Sequence, residues 1–125
     1  MLFIKQYAEF GIIFFRVGSD SMILLGKGKF CLTFDNGCAI SVINGFGSYS
    51  ENYFKSDLLE KHKFDYIKSK DCEIAIMYNE IFVTGRFVEG SDDVKGYVSA
   101  DELSDIIYKV KNFKGDIYEN KRNNK

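Results

Sequence analysis

The stretch KFCLTFDNGCAISVIN, residues 29–44, limits the fold more than any other part of the chain. Phe30, Leu32 and Phe34 alternate with Cys31, Thr33 and Asp35, the period-2 pattern of a strand with one buried face. Asn36-Gly37 follows, the favoured pair for a type I′ turn, in which both central residues take positive φ. Ile40 and Val42 then alternate with Ser41 on the way out. Two alternating runs around such a pair predict a β-hairpin. The preceding MILLGKGKF extends the first strand, with Gly26 and Gly28 marking a bulge or turn.

The same reasoning predicts a second hairpin in CEIAIMYNEIFVTGRFV, with a turn near Tyr78–Glu80 and a return strand over 81–88. VKGYVS makes one more short strand. Residues 55–71 are highly charged with rough helical spacing, and read as a loop with a helical turn. The last element is a helix. Ser99 and Glu102 form a capping box, and Leu103, Ile106, Ile107 and Val110 make one apolar stripe, with Gly115 as the stop. The stripe needs an apolar surface, and a sheet face supplies it. The expected fold is therefore α+β: an antiparallel sheet of five to six strands with one C-terminal helix packed on it.

A chain of 125 residues fits a single domain, residues 1–125, with 114–125 as a tail. Residues 1–21 read as an extra strand or as an extension upstream of a start at Met22, and FGIIFFRV favours the strand. No segment reaches the roughly 18–20 apolar residues of a membrane helix, and the N-terminus lacks signal-peptide features. A formal charge of −1 argues against a protein that coats nucleic acid, because counterion release needs concentrated basic charge. Cys31, Cys38 and Cys72 lack CxxC spacing and read as reduced core thiols of a cytosolic protein.

Catalytic sets are thin. His62 is the single histidine, with no base-and-orienter context. GKGK and NGFGS lack the further residues of a phosphate loop. No catalytic residue, metal site or cofactor is expected. The better candidate is the loop NGFGSYSENYF, residues 44–54. Phe46, Tyr49 and Tyr53 suit stacking on a flat base, and Asn52 suits ribose or base edges. Its glycines would let backbone N–H groups approach an anion. A second surface would carry Phe82, Thr84 and Arg86 on one strand face, with Lys95 and Tyr97 on the next. Phe82 would add to the stack, and Arg86 and Lys95 would meet phosphates.

The segments FDNGCAISVINGFGSYSEN, KSKDCEIAI and DDVKGYVSADELSDII together resemble a group of small, largely uncharacterised phage and prophage accessory proteins. The likeness runs from Phe30 to Val110, and this chain departs in its longer N-terminus and its lack of tryptophan. It implies a counter-defence role in the host cytosol, without catalysis. The favoured form is a homo-oligomeric sponge that sequesters a small nucleotide-derived signal. The alternative is a protein inhibitor of a host nuclease or effector, as anti-CRISPR proteins are, and such inhibitors usually carry an acidic patch.

Overall fold

A computed structural model describes residues 12–17, 20–57 and 66–114. Their order is β1 (Ile12–Val17), β2 (Asp20–Gly26), β3 (Lys29–Thr33), β4 (Cys38–Ile43), β5 (Tyr66–Ser69), β6 (Asp71–Tyr78), β7 (Ile81–Phe82), α1 (Thr84–Phe87), β8 (Lys95–Ser99) and α2 (Ala100–Lys111). The fold is α+β with antiparallel pairing throughout, as the alternating patterns predict. The strands form two sheets, not one. β1-β2-β5 make the smaller; β3-β4-β6 make the larger, with β7 and β8 both pairing to the far side of β6.

The chain passes between the sheets three times, and two of these passages take no more than two residues. Lys27 and Gly28, both with positive φ, carry β2 into β3. Lys70 alone separates β5 from β6. The run read as one extended strand therefore bends at its glycines into two. β5 falls within the stretch expected to be a loop; at four residues it is too short to show a period.

One core fills the space between the sheets. Ile23 and Leu25 from the smaller sheet, Ile40, Val42, Ile74 and Ile76 from the larger, and Leu103, Ile106, Ile107 and Val110 from α2 are all buried. Each such side chain stabilises the fold by roughly 1.5–3 kcal/mol through apolar burial. The predicted stripe is thus the buried face of α2, and Ser99 is its N-cap, its Oγ accepting the Glu102 N–H at 3.2 Å. Ile12 is buried in the core, and Met22 lies inside β2 opposite Phe15, so residues 12–17 serve as the first strand. Gly115 and His62 lie outside the described residues.

The two hairpin turns exchange roles relative to expectation. At Asp35–Gly37 only Gly37 has positive φ (+90°), and Phe34 pairs with Cys38 around a three-residue loop. Asn36 instead turns its amide to α2, donating to the carbonyls of Val110 (2.7 Å) and Phe113 (3.0 Å). The two-residue turn with both central residues at positive φ is Asn79–Glu80, which closes β6 onto β7.

The long return strand is not formed. β7 stops after two residues, because Thr84 Oγ1 takes the Ile76 N–H at 2.8 Å and donates to the Asp93 carbonyl at 2.6 Å. The chain then turns helical through α1. Thr84 is buried and Arg86 is exposed on α1, so Phe82, Thr84 and Arg86 do not share a strand face.

Candidate functional site: a buried polar corner and an acidic groove

The loop over 44–54 is built from the inside out. Asn44 is 0% exposed, and its amide nitrogen donates to the Ile67 carbonyl and to Ser69 Oγ, each at 2.9 Å. Asn52, 2% exposed, donates to the Asn44 carbonyl (2.8 Å) and the Lys68 carbonyl (3.1 Å). Ser48 and Ser50 are buried beside them with their hydroxyls 2.8 Å apart. Ser69 Oγ donates to the Asp71 carbonyl at 2.6 Å. These groups satisfy the backbone where the chain changes sheets, which a strand ladder cannot do there. Asn52 is therefore a structural residue of the corner, and its amide nitrogen is committed to backbone.

Two carboxylates tie the loop to the edge of β6. Glu73 Oε1 accepts the Tyr49 N–H at 2.9 Å, and Asp71 Oδ1 accepts the Glu51 N–H at 2.7 Å. Glu51 Oε2 in turn accepts the Lys70 N–H at 2.8 Å. Tyr49 also meets β8, its carbonyl accepting the Tyr97 N–H at 2.8 Å. A Cβ on Gly96 would stand 2.6 Å from Tyr49 Cβ, so only glycine allows this approach.

β8 carries a bulge opposite Glu73, and Tyr97 sits in it at φ +55°. This left-handed conformation costs an aromatic residue roughly 1–2 kcal/mol. The bulge also shifts the alternation: Lys95 pairs with Ile74 on the face of Val98, whereas Tyr97 turns outward with 60% exposure. Lys95 and Tyr97 thus lie on opposite faces.

Beside Tyr97 opens a groove of about 660 Å³. Asp20, Glu51, Asp71 and Asp101 line it with Ser21, Met22, Lys70, Tyr97 and Ser99. A second cavity, about 390 Å³, lies between the β3–β4 turn and the end of α2. Neither is lined by any of the seven residues singled out in the sequence. Of those seven, Tyr49 and Tyr53 come together, with near-parallel rings 5.7 Å apart. Phe46 and Tyr49 are exposed at the loop surface, Phe82 is exposed on β7, Arg86 is exposed on α1, and Lys95 is half-buried on β8. Phe54, not singled out, is 87% exposed and packs edge-on to Tyr53.

Burial pushes the Cys38 thiol above its ordinary range. Cys72 is pushed up by burial first, then by the Asp71, Glu102 and Glu73 carboxylates. Cys31 departs from the expectation of a core thiol, because its side chain lies on the solvent face of β3. Among the described residues, no group of three or more His, Cys, Asp or Glu is placed to hold a metal ion, and no helix is long and apolar enough to cross a membrane. No family model, curated protein or solved structure matches the chain.

The four groove carboxylates were missed in the sequence. They come from β2, the corner loop, β6 and the first turn of α2, so no local spacing links them.

Proposed function

We propose that the protein is a non-catalytic binding protein whose acidic groove receives a basic segment of a protein partner. The groove carries this reading: four carboxylates and one lysine around about 660 Å³, with a strained tyrosine at its wall. Opposite charge steers and orients a Lys- or Arg-rich segment. Exposed tyrosines on a rigid support act as anchors, since two χ angles lose little entropy on binding. Tyr97 is held by the bulge, and the neighbouring Tyr49–Tyr53 stack is held by Glu73. Together with the likeness of its motifs to phage accessory proteins, the groove supports a reading of the chain as a counter-defence inhibitor of a host nuclease or effector in the host cytosol.

A nucleotide-derived signal suits this surface less well. Its phosphates would face carboxylates in the groove, and Asn52 already serves the backbone. The Tyr49–Tyr53 pair is the one feature that favours it, because it offers a ready stacking platform.

The test is binding of a fluorescent Arg-rich peptide, read by anisotropy at two salt concentrations. Asp20→Asn with Asp101→Asn should weaken binding and flatten its salt dependence. Tyr97→Gly should weaken binding while melting temperature holds or rises. No binding by the unaltered protein, or binding indifferent to these changes, rejects the reading. Native mass spectrometry with cyclic nucleotides runs beside it, and uptake at a fixed number per chain would support the sponge instead.

A further inference from the structure

The outer edge of β3 is unpaired among the described residues, since β3 bonds only to β4 within its sheet. The register shows which groups face outward. Phe34 N–H donates to the Cys38 carbonyl, and Asn44 N–H donates to the Gly28 carbonyl. Hydrogen-bonded pairs alternate in an antiparallel ladder, so residues 28, 30, 32 and 34 serve β4. The N–H and C=O groups of Lys29, Cys31 and Thr33 therefore point away from it. The usual safeguards of an edge are largely missing: β3 has no proline and no bulge, and Lys29 at its start is its single charge. On the opposite side of the sheet β8 is guarded, because the Tyr49 carbonyl takes its Tyr97 N–H and a bulge interrupts it, and β7 is only two residues long.

We infer that β3 pairs with β3 of a second copy, antiparallel about a two-fold axis at Cys31. The strand is self-complementary in that register. Cys31 faces Cys31, and Lys29 faces Thr33 of the second copy, with Asp35 of that copy diagonally beyond. No like charges oppose each other. On the inner face Phe30 meets Leu32 of the second copy. Phe30 and Phe34 are only partly buried against the core in one chain, and the pairing completes their cover. The two large sheets become one continuous sheet. A second copy is favoured over a foreign strand because the charge pattern matches its own reverse.

The chain also supplies its own probe. It has three cysteines, of which Cys38 and Cys72 are buried and Cys31 alone is exposed. Hydrogen-bonded partners stand about 5.5 Å apart at Cα, so a short bismaleimide will join the two thiols. The expected results are a solution mass twice the 14.4 kDa of one chain, and a covalent dimer that Cys31→Ser abolishes. Cys31→Pro removes an N–H that β4 does not use, and should give a folded monomer by light scattering and circular dichroism. If that variant does not fold, Cys31→Lys places like charges on the axis and should also give the monomer. A monomeric unaltered protein, absence of the cross-link, or a dimer that survives a folded variant overturns the inference.

Discussion

Asn52 and Phe46 belong to one loop and do opposite work. Asn52 holds two backbone carbonyls at the buried corner, whereas the Phe46 ring is exposed to solvent. Asn52→Ala should lower unfolding free energy by about 1–3 kcal/mol, because it removes the buried amide donor that the Asn44 and Lys68 carbonyls share. Phe46→Ala should change it by less than about 0.5 kcal/mol. Urea titration followed by circular dichroism separates the two, and equal losses would contradict the assignment. The loop's composition revealed its polarity and its glycines. It did not reveal which side chains turn inward, since serine and asparagine serve equally well as backbone caps or as ligand donors.

At the scale of elements, local signals were legible and their use was partly not. α2 was readable because its cap and stripe lie within one segment, Ser99 to Val110. The β3–β4 hairpin was readable for the same reason. Its turn type was not, because Asn36 has a distant task that propensity ignores: holding the Val110 carbonyl of α2 and the Phe113 carbonyl just beyond it. The tight turn fell instead to Asn79–Glu80, where Glu80 sits at φ +68°. Glu80→Gly should relieve that conformation and stabilise the protein by about 1 kcal/mol, seen as a higher melting temperature. A fall would show that the Glu80 side chain makes a contribution larger than its strain. The return strand failed because Thr84 replaces a ladder bond with its own hydroxyl, a substitution invisible to a period-2 count.

For the whole molecule, the antiparallel α+β class followed from patterning, while the division into two sheets and the acidic groove depended on long-range assembly. The groove's Asp20, Glu51, Asp71 and Asp101 meet only after both sheets exist. The buried thiols give a global test. Cys38 and Cys72 are neutral in folded and unfolded chains below their ordinary value of 9.0. Above it the unfolded chain releases protons that the folded chain retains, so stability falls as pH rises from 9.0 toward the raised folded values. Denaturation midpoints at pH 8 and pH 10 should differ in that direction, and by less in a Cys72→Ala variant compared with its own value at pH 8.

Asn44 adds one more consequence. Its amide bridges the end of β4 to β5, residues 23 and 25 positions away, at the seam beside the two short sheet crossings. Neither sheet can open alone without exposing that seam to water. The two layers should therefore melt as one cooperative unit, with coincident transitions by near- and far-UV circular dichroism.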